Sequence, residues 1–319
     1  MACANSHDAV WFFMKYSTDA GQTWNHASLA SKGVDPVGFS APSGFEIEVP
    51  ADTKGFFFRR SLNGSGNIDA EDVRFSWDYG QDGLSDDVAQ AANTITKLYG
   101  IEMVYIPEGG FYAGDGASSS DYRFKQGSTD DDPWYISSET AINVTNATSD
   151  GFYYQSSGST GESSSGDGFI LANSFPKGYS AFYMMKYELT EGNWVSFFNT
   201  LSQAERTARD ITGSTDGGKN SDAVVMRNTV SWDASGVLLA AETDRPARAM
   251  TYVSWADVAA FADWAALRPM SELEFEKAAR GADIAPVANE YAWGTVAYDA
   301  AASEEIFPPN SDEDGTESI

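Results

Sequence analysis

The stretch 267-LRPMSELEFEKAARG-281 sets three glutamates, Glu272, Glu274 and Glu276, within five residues and follows them with Lys277 and Arg280. Such a cluster suits acid–base chemistry on a helix, yet helix grammar accounts for each charge. Ser271 takes the N-cap and Glu274 the third helical position, the two halves of a capping box, with Met270 and Phe275 as the hydrophobic staple. Glu272 and Glu274 fall in the first turn, where the helix dipole favours anions. Glu276 and Arg280 are spaced i, i+4, and Gly281 supplies the stop. The pattern leaves the glutamates exposed, whereas a perturbed catalytic acid needs burial. They are read as structural.

The same grammar recurs upstream. After Thr190 come Trp194, Phe197, Phe198 and Leu201, and after Ser254 come Val258, Phe261, Ala262 and Ala265, each set at i, i+3, i+4 and i+7. These are core-facing helical stripes behind hydroxyl N-caps, with Leu189 and Val253 placed to staple Trp194 and Val258.

Residues 1–99 read differently. The runs 10-VWFFMKYS-17, 24-WNHASL-29, 44-GFEIEVP-50, 55-GFFFRRS-61 and 72-DVRFSWDY-79 are short, aromatic or β-branched, and separated by turn residues. That spacing predicts a β-sandwich-like module. From 100-GIEMVYIPEGGFYAGDG-116 onward a strand, a Gly-rich turn and a second strand open another domain, expected over 100–319. Residues 117–168 are dominated by Ser, Gly, Asp and Thr and read as a long surface insertion, partly ordered around Trp134-Tyr135. Those two aromatics, with Tyr153-Tyr154, either contact a ligand such as a glycan or pin the insertion down, and pinning is favoured. A second insertion, 208–223, precedes a hairpin candidate over 224–241. The fold class is α+β.

Charge excludes some partners. The 319 residues carry 47 acidic and 20 basic side chains, a net charge of −27. A field of that sign repels nucleic acid and anionic lipid. It suits salty or extracellular water, or a protein that collects divalent cations. No apolar run approaches the roughly 18–20 residues of a membrane-spanning helix. The start shows no basic, then apolar, signal segment. Cys3 is the single cysteine, so neither an intrachain disulfide nor a thiolate cluster can form.

Asp78, Asp82, Asp86 and Asp87 surround a glycine turn and offer oxygen ligands that suit Ca²⁺. The spacing lacks the usual calcium-loop pattern and its closing glutamate, so a solvated acidic turn competes with the cation site. GDG at 114–116 and 166–168 reads as ordinary turn chemistry. Asn143-Val144-Thr145 and Asn146-Ala147-Thr148 match the N-glycosylation acceptor pattern.

Taken in order, 103-MVYIPEGGFYAGDG-116, 181-AFYMMKYELTEGNWVSFFNTL-201, 245-RPARAMTYVSWADVAAFADWAALRPMSELEFEKAARG-281 and 290-EYAWGT-295 resemble the formylglycine-generating enzyme, or sulfatase-modifying factor, family. The matching pieces are Gly110-Phe111 with Gly114, Lys186 to Thr190, Val253 to Asp257, Arg268 to Gly281, and Tyr291 to Gly294. One departure is Arg268-Pro269-Met270-Ser271, where the family has its proline one place later. The resemblance implies a C-type-lectin-like fold rich in irregular loops. It also implies one of three activities: copper-dependent oxidation of a sulfatase cysteine, iron-dependent sulfoxide synthesis, or non-catalytic ligand binding, as in variable proteins of diversity-generating retroelements.

Copper-binding members use two C-terminal cysteines, and this chain has only Cys3. Iron-binding members use three histidines, and only His7 and His26 are present. The family segments that carry calcium ligands and the active cleft normally follow the Y-x-W-G strand, and the acidic tail 301–319 does not match them, so the domain is expected to be incomplete at its C-terminus. The expectation is therefore an extracellular or cell-surface protein, bacterial or phage-encoded, that binds or displays an unidentified protein or glycan ligand, with no catalytic residues and Ca²⁺ as its one candidate cofactor. The alternative is an oxidase of sulfatase maturation whose active half lies outside this sequence. A surface-layer or adhesion component is the third reading.

Overall fold

The computed structural model describes residues 7–64, 66–114, 116, 126, 132–145, 152–153, 169–213, 227–234, 239–290 and 295–297. The fold is mixed α/β, with many strands and few helices. The strands are β1 (Ala9–Ser17), β2 (Asn25–His26), β3 (Gly33–Val34), β4 (Phe45–Val49), β5 (Phe56–Arg60), β6 (Ile95–Ile106), β7 (Phe111–Ala113), β8 (Trp134–Ile136), β9 (Ile142–Thr145), β10 (Phe152–Tyr153), β11 (Phe169–Leu171) and β12 (Phe182–Met185). The helices are α1 (Asp86–Ala89), α2 (Glu191–Phe198), α3 (Gln203–Ala208), α4 (Trp255–Trp264) and α5 (Glu272–Arg280). Among described residues, one compact unit takes 7–104 and 185–269, and the other takes 105–184 and 270–297.

The sheet of the first unit runs β6-β1-β5-β4-β3, with β2 also paired to β1. Strand β1 is its spine. It pairs antiparallel with β6 from Ala9↔Met103 to Ser17↔Ile95, and with β5 from Ala9↔Arg59 to Phe12↔Phe56. Alternate side chains of a strand point to opposite faces, and both faces of β1 are covered. On one, Trp11 donates Nε1–H to the Ala265 carbonyl at 2.8 Å, and Phe13 meets Trp264 edge-on at 4.9 Å. On the other, Phe12 stacks on Phe56, while Met14 and Tyr16 pack with Ala27, Trp77 and Leu84. A strand covered on both faces needs apolar residues throughout, which is why 10-VWFFM-14 lacks a polar alternation.

This arrangement corrects the sandwich expected for 1–99. The N-terminal strands lie in one sheet, because β1 gives one edge to β5 and the other to β6, and α4 covers a face that a second sheet would need. The return strand expected over 24–29 shrinks to Asn25–His26, and 72–79 contributes only the isolated bridges Ser40↔Arg74 and Leu29↔Trp77. Its aromatics still serve the core, where Phe75 packs with Phe56, Ile47 and Val49. The compact units likewise differ from a division at residue 99, since 185–269 shares its unit with the N-terminal strands.

In the second unit, β7 pairs with β8, and β9 lies between β10 and β11. Phe111, Ala113, Ile136, Ile142, Val144 and Leu273 form its core, with Trp134 packed against them. Part of the expected surface insertion is therefore core: the alternation in 134-WYI-136 and 142-INVT-145 buries Ile136, Ile142 and Val144. The second GDG, Asn146 to Thr148, the side chains of Tyr153 and Tyr154, the Tyr291 to Gly294 motif and the tail lie outside what the structure describes.

The helix grammar holds. Thr190, Ser254 and Ser271 are N-caps whose hydroxyls accept from Asn193, Asp257 and Glu274 backbone N–H groups. Ser271 and Glu274 close the capping box, Glu276 pairs with Arg280 at 3.4 Å, and Gly281 ends α5 at φ +91°. One expectation fails: Glu274 is 2% exposed and Lys277 0%. The Glu274 carboxylate accepts from Ser271 N–H at 2.8 Å, and Lys277 Nζ donates to the Tyr179 carbonyl at 3.0 Å. Gly178 makes this approach possible. It sits at φ +82°, and a Cβ there would stand 3.1 Å from the Leu273 carbonyl oxygen and 3.2 Å from Glu274 Cα.

Candidate functional site

The Lys186 to Thr190 junction forms one wall of a cleft of about 360 Å³ in the first unit. Gly100 to Glu102 of β6 form a second wall, and Pro246, Ala247 and Ala249 a third. The walls are joined by backbone. Lys186 N–H donates to the Glu102 carbonyl at 2.9 Å, Glu191 N–H to Arg248 at 2.8 Å, Gly192 N–H to Pro246 at 3.0 Å, and Met250 N–H to Leu189 at 2.6 Å. Gly192 is required by this seam, because a Cβ there would lie 2.8 Å from the Pro246 oxygen.

A buried carboxylate fixes the loops behind the cleft. Glu191, the first residue of α2, is 0% exposed. Its oxygens accept from Thr229 Oγ at 2.6 Å, Thr229 N–H at 3.1 Å and Thr243 Oγ at 2.5 Å, with Arg248 Nη1 at 3.9 Å. The Thr229 hydroxyl in turn accepts from the backbone N–H groups of Asp244 and Arg245. Every partner of the carboxylate is a donor, as a buried acceptor-only group demands. Sequence reading missed this residue, since its partners lie 38 and 52 positions away. A glutamate directly after an N-cap threonine reads only as dipole complementation.

The cleft surface is mixed. Tyr187 is 57% exposed, and Ile101, Met185 and Pro246 add apolar area. Glu102, Glu188, Thr190 and Asn193 supply polar groups. Lys186 Nζ bonds Glu102 at 2.8 Å, and that hydrogen bond raises the lysine pKa above its ordinary value. The lining mixes hydrogen-bonding groups with apolar area, which suits recognition of a ligand by both.

His7 and His26 occupy separate positions in the first unit. The sequence has a single cysteine, Cys3. His7 bonds Arg59 at 2.8 Å through Nδ1, while His26 sits on β2 beside Lys15. Among the described residues no three His, Cys, Asp or Glu side chains are grouped to hold a metal ion. The calcium candidates are engaged separately. Asp82 Oδ2 accepts from Ser28 N–H at 2.9 Å and Trp77 Nε1–H at 2.7 Å, and Asp78 Oδ1 accepts from Gln81 N–H at 3.0 Å. Asp86 accepts from the Tyr79 hydroxyl at 3.1 Å, and Asp86 and Asp87 form the first turn of α1 behind Ser85.

In the second unit, a broader groove runs along Trp134, Tyr135, Ile136, Asn143 and Thr145. Both aromatics are anchored there. Trp134 packs on the core, and the Tyr135 hydroxyl donates to Asp283 at 2.6 Å, a bond that raises the phenol pKa. Asn143 is exposed on β9.

The family model described as the sulfatase-modifying factor enzyme 1-like domain matches residues 88–317. No curated protein matches the chain, and no solved structure does.

Proposed function

The chain belongs to the sulfatase-modifying factor family, and from that membership we propose that it is a non-catalytic binding or display protein with a C-type-lectin-like domain. The observation that carries this reading is the chain's own inventory of ligands: one cysteine and two histidines, set against chemistries that need two thiolates or three imidazoles. The bound partner is a protein or glycan, taken in the cleft between Gly100–Glu102, Lys186–Thr190 and Pro246–Ala249. Its exposed tyrosine, apolar floor and few fixed polar groups support such recognition. The acidic surface supports an extracellular or cell-surface setting.

The test is binding of the chain to a glycan array and a displayed peptide library, repeated with Tyr187→Ala and Asn193→Ala. Selective binding that both substitutions weaken at least tenfold supports the reading. Copper-dependent conversion of a cysteine peptide to an aldehyde by this chain would sink it in favour of the oxidase alternative.

A further inference from the structure

Away from the cleft, the first unit holds a small cluster of basic groups around one buried lysine. Lys15 and His26 are register partners on β1 and β2, and Lys15 is 7% exposed. Lys15 Nζ lies 2.8 Å from His26 Nδ1, and His26 Nε2 bonds the Lys54 carbonyl. A carbonyl only accepts, so Nε2 carries the ring hydrogen and Nδ1 offers the lone pair to which the Lys15 ammonium donates. Lys54 Nζ donates to Ser28 Oγ at 2.7 Å, and Phe13 stacks on the imidazole at 5.8 Å.

The charged and titratable neighbours are Lys54 and Asp52 from the turn after β4 and Asp263 from α4. On β6, Lys97 stands opposite Lys15 with its ammonium over Trp24, and Tyr99 stands opposite Phe13. Burial first, then Lys15, holds the His26 ring down at about 4. Strand β2 is tied to β1 by only two register pairs.

We propose that Lys15, His26 and Lys54 form an acid-released latch: protonation of His26 at Nδ1 removes the acceptor Lys15 uses, sets a half-buried cation against a buried one, and frees β2 and the 50–54 turn from β1. The unfolded ring takes its proton near 6.5 and the latched ring only near 4, so the latch weakens as pH falls through that window. Linkage sets the size. Local opening rises about 25-fold between pH 7.5 and 5, and on the order of 100-fold by pH 4.

Hydrogen exchange of the intact chain, corrected for intrinsic rates, tests this on segments 24–30 and 50–56. The wild type should open by those factors. His26→Gln, which keeps an acceptor for Lys15 and a donor for Lys54 but does not titrate, should stay flat, and His7→Gln should follow the wild type. Equal opening in wild type and His26→Gln overturns the latch. If His26→Gln does not fold, NMR of the two histidine rings in the wild type decides. A His26 titration that coincides with opening supports the latch, and either event without the other overturns it.

Discussion

Glu191→Ala is the most informative single change in the molecule. It removes an acceptor that takes both threonine hydroxyls, the Thr229 N–H and the nearby Arg248 guanidinium inside the protein. Hydrogen bonds to a charged group contribute about 1.5–3 kcal/mol each, and breaking a buried charged constellation on one side costs about 3–5 kcal/mol. The expected loss is therefore about 3–5 kcal/mol. Glu191→Gln keeps the shape and the one acceptor oxygen that both hydroxyls use, but turns an amide N–H₂ toward the Thr229 N–H and the Arg248 guanidinium, themselves donors, and should cost about 1–3 kcal/mol. Urea denaturation followed by tryptophan fluorescence gives both values, because Trp194 lies three residues along the same helix. Thr243→Val closes a double-mutant cycle, and its coupling with Glu191→Ala should exceed about 0.5 kcal/mol. An alanine variant within 1 kcal/mol of wild type, or a glutamine variant as weak as alanine, would refute the account of how the cleft walls are held.

Gly178→Ala places a Cβ at φ +82° against the start of α5, and should lower stability by about 1–3 kcal/mol in the same urea titration. Trp11→Phe leaves the Ala265 carbonyl without its indole donor, and should cost about 1–3 kcal/mol with a lower thermal midpoint by calorimetry. Lys15 is held down to about 8, chiefly by burial, so the folded chain gives up a proton that the unfolded chain keeps. Stability should therefore rise with pH from about 8 to 10, by roughly 2–3 kcal/mol, and Lys15→Met should flatten that slope in urea midpoints taken at pH 7.5, 9 and 10. Tyr99, raised by burial to about 12, acts in the opposite sense above pH 10 and bounds the window.

What the sequence disclosed follows the range of each interaction. Caps and helix stops act over three or four residues, so the Ser254 N-cap, the box of Ser271 with Glu274, and Gly281 were legible, while the box that Asp257 closes with Ser254 was not read. The same S-x-x-E signal, Ser202 with Glu205, marks α3, which was not read. Strand identity was legible in 10-VWFFM-14 because aromatic and β-branched runs favour sheets, but its partners were not. Two covered faces and two paired edges look the same in sequence whether the cover is a second sheet or helix α4. The cleft was half visible. Lys186 to Thr190 stood out as a motif, while the Pro246 to Ala249 wall and Glu191's threonines are joined to it only by tertiary hydrogen bonds. The burial of Lys277 was hidden because its position on the polar side of the helix pattern says nothing of the Tyr179 carbonyl that receives it.

The bond from Trp11 to Ala265 spans 254 positions, and its unit is assembled from 7–104 and 185–269. On a ribosome, β1, β5 and β6 emerge complete while the helix that covers their aromatic face is still unsynthesised. At about 5–20 residues per second, the roughly 160 residues from 104 to 265 take on the order of ten seconds. For that interval Trp11 and Phe13 face solvent on a paired, apolar sheet. Slowing translation across 105–184 should therefore increase the insoluble fraction of the expressed protein while leaving the finished fold unchanged.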